Sequence, residues 1–255
     1  QALTGLSPST TYYYCAIAQN VGGIRFGAVM SFATSSAPTV ATDAATSITS
    51  TGATLNGTAN PNGLTATGWY RYATTHPGTC SDSFGTRAPS SGGTALGAGT
   101  APATFPRAIT GLSASTTYYY CAIASNSVGT GLGEILSFTT AGPPTVTTEA
   151  ATGVTSTGAT LHGSANPNQT ATTGWFRYAT TSPGTCNDSF GTRAPSSGGT
   201  ALGAGAAAVP YQQALATLSP GTTYFYCAIA SSTLGTRFGA VMSFTTPAVP
   251  PQVTT

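Results

Sequence analysis

The sequence has no lysine, and charged residues of either sign make up only 5% of its 255 positions, against roughly a quarter in an ordinary soluble protein. All seven basic residues are arginine, the acids number five, and the formal net charge is +2. So sparse a charge cannot build the basic stripe that phosphate backbones require, which argues against nucleic acid and against an anionic membrane surface. Absence of lysine also excludes lysine–asparagine isopeptide crosslinks. No apolar run approaches the roughly 20 residues of a spanning helix, and residue 1 does not open a signal peptide, so any leader is expected upstream or already removed.

Catalytic constellations are missing as well. There are two histidines, His76 and His162, and neither recurs at the matching place elsewhere in the chain, where Ser182 and Asn56 stand. The serines lack a G-x-S-x-G elbow and a recurrent histidine to activate them. The glycine-rich "SSGGTALGAG" lacks the GK[ST] ending of a phosphate loop. Isolated acids such as Asp82 and Asp188 do not make a glycosidase pair or an oxygen-rich calcium cage. The residues imply no enzyme and no cofactor.

What is present is repetition. "TTYYYCAIA" stands at 10–18 and again at 116–124, with "TTYFYCAIA" at 222–230. A spacing of 106 residues separates Cys15 from Cys121, Cys121 from Cys227, Cys80 from Cys186 and Trp69 from Trp175. "SFGTRAPSSGGTALGAG" at 83–99 recurs unchanged at 189–205. A period this long suits units that each close their own core rather than a solenoid. Within each unit, segments rich in aromatic and β-branched residues alternate with Pro, Asn and Gly turn clusters, and nothing carries helical periodicity over three turns. The chain is predicted to be all-β, with units of sandwich type.

The stretch "GLSASTTYYYCAIASNSVGTGLGEILSFTT" (111–140) resembles the second half of a fibronectin type III domain, with Tyr12, Tyr118 and Tyr224 at the tyrosine-corner position. "TSTGATLHGSANPNQTATTGWFRYATT" (155–181) is similar to strands B and C of the variant common in tandem arrays of bacterial secreted proteins. The usual strand B tryptophan is absent; Leu55, Gly57, Leu161 and Gly163 stand nearby, so a differently packed core is expected. The resemblance implies tandem immunoglobulin-like (fibronectin type III-like) antiparallel β-sandwiches. Residues 39–140 and 145–246 would be complete domains, 1–34 strands E, F and G of a preceding one, and 247–255 the start of the next or a linker. The proline-bearing connectors at 35–38, 141–144 and 247–251 are expected to favour stiff, head-to-tail spacing.

Strands C and F are neighbours in that fold, which implies disulfides Cys80–Cys121 and Cys186–Cys227 and leaves Cys15 unpaired in this window. An oxidising, extracellular or cell-surface location follows. A zinc site would want further Cys or His at short spacing, and a redox pair would normally be C-x-x-C. In strand F, alternation counted from the tyrosine corner places Tyr118, Tyr120, Ala122 and Ala124 in the core and turns Tyr119, Cys121 and Ile123 outward; in strand C the resemblance implies Tyr70 and Tyr72 inward and Trp69 and Arg71 outward. The bridge is then expected to pin a Gly/Ser-rich loop, roughly 81–105, across Trp69, Tyr119 and Ile123. Arg71 is expected to stack on its strand neighbours and Arg87 to pair with Asp82. Candidate assembly or ligand contacts are Trp69, Arg71, Tyr119, Ile123, Phe84 and Arg87, with Trp175, Arg177, Phe225, Phe190 and Arg193 in the second copy.

These features favour a structural repeat of a fibre, filament or surface stalk, with copies of itself or other surface proteins as partners and adhesion as an end use. A polysaccharide-binding module, with Trp69 and Tyr119 stacking on a glycan, is the alternative, as is a spacer of a secreted enzyme. N-x-S/T occurs at Asn56, Asn168 and Asn187 without recurring in both units, and O-linked sugar on Ser or Thr is a further expectation.

Overall fold

A computed structural model describes residues 1–251, all β-strand and connecting turns; the last four positions of the segment 247–255 lie outside the described residues. Strands β1 (Thr11–Tyr14), β2 (Ile17–Asn20), β3 (Gly23–Phe26) and β4 (Met30–Ala33) form two short antiparallel pairs, β1 with β4 and β2 with β3. The expected strand E is not formed in 1–10. Its natural partner is strand B, which 1–34 does not contain, and a lone strand has no ladder for its peptide groups.

The first complete sandwich begins with β5 (Thr39–Thr46), β6 (Gly52–Asn60) and β7 (Ala66–Ala73). The short β8 (Thr86–Ala88), β9 (Thr94–Gly97), β10 (Ala103–Thr104) and β11 (Arg107–Thr110) follow, then the long β12 (Thr117–Ser125) with β13 (Thr130–Leu132) and β14 (Leu136–Thr139). One sheet sets β6 between β5 and the β10/β11 pair; the other sets β7 and β12 side by side, with β13 and β14 on β12 and with β8 and β9 on β7. This is the A-B-E against C′-C-F-G arrangement of an immunoglobulin-like, fibronectin type III-like sandwich. The second copy repeats it with β15 (Thr145–Thr152), β16 (Ala159–Asn166), β17 (Thr172–Ala179), β18 (Thr192–Ala194), β19 (Thr200–Gly203), β20 (Val209–Leu215), β21 (Thr223–Ser232), β22 (Gly235–Phe238) and β23 (Met242–Thr245). By contact density the chain divides into two compact units, Gln1–Leu112 with Thr116–Thr139, and Ser113–Ser115 with Thr140–Thr255.

Alternation sets the core. Leu55, Tyr70, Tyr118, Tyr120, Ala122, Ala124, Phe105 and Phe138 are buried together between the sheets. Gly57 takes the place where a larger strand B residue would stand: a Cβ there would lie 2.8 Å from Ala122 Cβ and 3.0 Å from the Tyr70 hydroxyl. The space is filled from the other strands, by the Tyr70 and Phe105 rings with centroids 5.1 Å apart. Tyr70 donates its buried hydroxyl to Phe105 O at 2.8 Å. The second unit makes the same ring pair with the hydroxyl on the other member: Phe176 faces Tyr211 at 5.0 Å, and Tyr211 donates to Ile229 O at 2.9 Å. Burial pushes the ionisation of Tyr70 and Tyr211 well above the usual tyrosine range.

The corner tyrosine closes the E–F crossover, as the Ser219 N–H donates to Tyr224 Oη at 2.9 Å and Ser7 N–H does the same to Tyr12. Strand A is locked to the opposite sheet by side chains from both strands: Tyr120 Oη donates to Asp43 O at 2.6 Å and Tyr226 Oη to Glu149 O at 2.7 Å. Thr42 Oγ1 accepts from Ala122 N at 3.0 Å, and Thr148 Oγ1 accepts from Ala228 N at the same distance.

Candidate functional site

The segment after strand C is not the loop expected at 81–105. It turns back at Gly85, where φ is +50° and a Cβ would run into the Tyr72 carbonyl, and pairs twice with strand β7. Tyr70, Arg71 and Tyr72 face Ala88, Arg87 and Thr86, and Ala66, Thr67 and Gly68 face Gly97, Ala95 and Thr94. The strands are only three and four residues long, so their alternation is too brief to register against the surrounding Gly, Ser and Pro.

Disulfides join Cys80 to Cys121 and Cys186 to Cys227, each with Cα atoms 6.0 Å apart; Cys15 is free and exposed. The bridge draws the start of the returning segment over the outer face of the C–F pair. Trp69 is 8% exposed, and Cys121 and Ile123 are 0%, with Cys80, Phe84 and Ile135 packed around them. Trp175, Cys227 and Ile229 form the same satellite cluster in the second unit, with Cys186 and Phe190 against it. Trp69, Ile123 and Trp175 are therefore not surface contacts. Phe84 and Phe190, expected as assembly contacts on a loop, are half-buried members of these clusters.

The polar side chains complete the cover, with the two arginine roles exchanged relative to expectation. Arg71 and Arg87 stand opposite each other on paired strands, an arrangement that repels unless a charge intervenes. Asp82 supplies it. Its Oδ1 accepts from Arg71 Nε at 2.8 Å and from Trp69 Nε1 at 2.8 Å. Arg87, instead of pairing with Asp82, stacks over the Trp69 ring at 4.6 Å and donates to Pro89 O at 2.8 Å and to Gly92 O. Burial alone pushes the Asp82 carboxyl up, but hydrogen bonds from Arg71 and Trp69 and the charges of Arg71 and Arg87 outweigh it and hold the group below its usual range. The second unit repeats each contact: Asp188 with Arg177 Nε and Trp175 Nε1, both at 2.9 Å, and Arg193 over Trp175 at 4.6 Å. Arg193 also donates to Pro195 O at 2.8 Å and to Gly198 O.

Tyr119 and Phe225 remain half-buried beside the clusters, Tyr119 with the His76 ring edge-on at 4.9 Å. The asparagines of the N-x-S/T matches are committed to their own units. Asn56 Nδ2 donates to Ala44 O at 2.8 Å, Asn168 Nδ2 to Pro143 O at 2.7 Å, and Asn187 Oδ1 accepts from Ser189 N at 2.9 Å. Among the described residues no buried side-chain polar atom lacks a partner, and no group of three or more His, Cys, Asp or Glu stands ready for a metal. No helix among them is long and apolar enough to cross a membrane.

No family model and no curated protein matches the chain. Solved structures similar to it include the FN1–FN3 domains of chicken CNTN1, 15% identical over 95% of this chain and 77% of that one, with a TM-score of 0.32. Domains A168–A170 of titin are 10% identical over 94% of this chain and 75% of that one, at 0.34. The sensor domain of the anti-sigma factor RsgI4 of Pseudobacteroides cellulosolvens is 15% identical over 44% of this chain and 97% of that one, at 0.31. Strand order, register and the tyrosine corner define the class here: an all-β chain of tandem fibronectin type III-like, immunoglobulin-like domains.

Proposed function

We propose that this chain is a non-enzymatic structural repeat of an extracellular fibre, filament or surface stalk. One observation carries the reading: the polar residues that recur between units, Trp69, Arg71, Asp82 and Arg87 with their counterparts, bind one another in the same geometry twice. Chemistry repeated for a ligand would leave donors, acceptors or ring faces directed outward; here they cover a second small core. The two disulfides favour an oxidising compartment, and a near-neutral surface favours close association of copies. The glycan-binding alternative loses its principal platform, because the Trp69 ring is covered by Arg87. Electron microscopy of the native material tests the reading. Fibres or filaments with a periodicity of one or two units are expected. A few repeats leading into a catalytic domain, without assembly, would replace it with the spacer of a secreted enzyme.

A further inference from the structure

Every sheet in the two complete units ends in edge strands. The A edges, β5 and β15, are eight residues long, but each is interrupted by a register shift, between Asp43 and Thr46 and between Glu149 and Thr152, beside an acidic residue. On the C′ side the edge is broken between β8 and β9 and between β18 and β19, and the G edge is divided between β13 and β14 and between β22 and β23. Strand E of the first unit is broken into β10 and β11 around Phe105 and Pro106. Strand E of the second unit, β20, runs unbroken for seven residues, Val209–Leu215, and among the described residues it pairs with β16 on one side only.

The direction of the peptide groups follows from register. Phe105 N donates to Gly57 O at 3.1 Å, so antiparallel alternation turns the peptide groups of residues 104, 106 and 108 to the free edge. Tyr211 faces Gly163 in the same register, which turns those of Pro210, Gln212 and Ala214 outward. In the first unit the middle of this edge is Pro106, which has no N–H to offer, followed by the exposed Arg107. Proline and an edge charge are two of the devices that prevent strand-to-strand association. In the second unit the same two positions are Gln212 and Gln213, neutral and able to donate. Pro210 limits the open edge at its upstream end.

We propose that the β20 edge is a self-association site that takes the β20 edge of a second copy, antiparallel about a two-fold axis through Gln213. Gln212 of each copy faces Ala214 of the other and exchanges both peptide hydrogen bonds with it. Gln213 faces its own counterpart, and the side-chain amides, neutral at any pH, bond to each other. The Gln213 Nε2 bond to Ala214 O, 2.9 Å in the single chain, is exchanged for these. The first unit cannot pair this way, since Pro106 removes the central donor and two Arg107 side chains would meet. A contact this short is weak in one copy and gains strength in an array, where many second-type units engage together. The site deepens the structural-repeat reading and relies on it only for the identity of the occupant.

Sedimentation of the full oxidised chain, with Cys15 alkylated, tests the site. A reversible monomer–dimer equilibrium is expected up to millimolar concentration. Gln213→Arg should weaken it at least ~10-fold at low salt, with partial recovery as salt screens the paired charges. Gln212→Pro should weaken it at every salt concentration. In the converse variant, Pro106→Gln with Arg107→Gln, a second open edge should yield species larger than dimers. Unchanged tryptophan emission and melting certify the fold of each variant. In a Cys15→Ser background, Gln213→Cys should give a disulfide-linked dimer on mild oxidation, whereas Gln212→Cys, on the opposite face, should not. A wild-type chain that stays monomeric, or Gln213→Arg associating as the wild type does, overturns the site. Neither result bears on whether the native material is fibrous, which microscopy decides separately.

Discussion

The nine residues "TTYYYCAIA" appear twice without change, at 10–18 and at 116–124, and the two copies are built differently. Both keep the local hairpin. Tyr12 faces Phe32 and Tyr118 faces Phe138 in the same register, with stacked rings 5.8 and 5.7 Å apart. Beyond that they diverge. At 116–124 the strand is continuous, and Tyr120, Cys121 and Ile123 are fully buried; at 10–18 it breaks after Tyr14, and Tyr14 and Ile17 are 51% and 62% exposed. The copy at 116–124 has strand C alongside, facing it from Tyr119 to Ser125; among the described residues no strand C stands beside the copy at 10–18. Register and the tyrosine corner are thus encoded within about thirty residues, whereas burial and strand continuity require the half of the domain that carries strands B and C.

The sharpest way to expose this difference is to remove the same ring from each copy. Tyr120→Ala should cost its unit roughly 3–5 kcal/mol, the scale for deleting a large buried aromatic side chain, while Tyr14→Ala should stay within about 0.5 kcal/mol. Denaturant unfolding of the two variants checks both values. The cysteines should divide in the same way. Replacing Cys80 and Cys121 together with serine should remove about 2–4 kcal/mol, and Cys15→Ser should leave the unfolding midpoint where it is.

The contrast also shows what could be read in advance. Alternation, anchored on the tyrosine corner, is enough to place Tyr120, Ala122 and Ala124 in the core, because their faces are fixed by the pleat once the strand is recognised; Tyr70 is placed there by the resemblance of strand C. The same alternation turns Cys121 and Ile123 to the other face of the sheet, and the resemblance turns Trp69 there too. Alternation says which side a residue points to and nothing of what lies over that side. Here the cover is a returning segment whose strands are too short and too rich in Gly, Ser and Pro to stand out. The roles of Arg71 and Arg87 were exchanged for the same reason: once β8 pairs with β7, Arg71 is the nearer partner of Asp82, and Arg87 is left above the indole. The unequal strand E edges were legible in the letters Pro106–Arg107 against Gln212–Gln213, but their meaning depends on knowing which peptide groups face outward.

Smaller effects refine the account of the cover. Arg87→Ala should cost about 0.5–2 kcal/mol through loss of the stacked cation and its packing. It should also redden the tryptophan emission of its unit, which thermal melts and fluorescence would report. The Asp82 contribution is expected to be smaller still, at most about 1 kcal/mol for so exposed a pair. Because its folded carboxyl titrates below the ordinary value of 3.8, that stabilisation is fully present above pH 3.8 and is lost as pH falls through the lowered value. Asp82→Asn should flatten this acid limb of the stability profile.

The chain has two tryptophans, Trp69 and Trp175, and both lie in the satellite clusters, so their fluorescence reports on the cover and on nothing else. Acrylamide quenching of the oxidised chain, before and after reduction of the disulfides, therefore tests most directly whether the recurring residues build a second core or present a binding face. The account predicts blue-shifted emission with weak quenching in the oxidised chain and stronger quenching after reduction. Emission quenched as readily as a free indole in the oxidised chain, and shifted by added oligosaccharide, would contradict it.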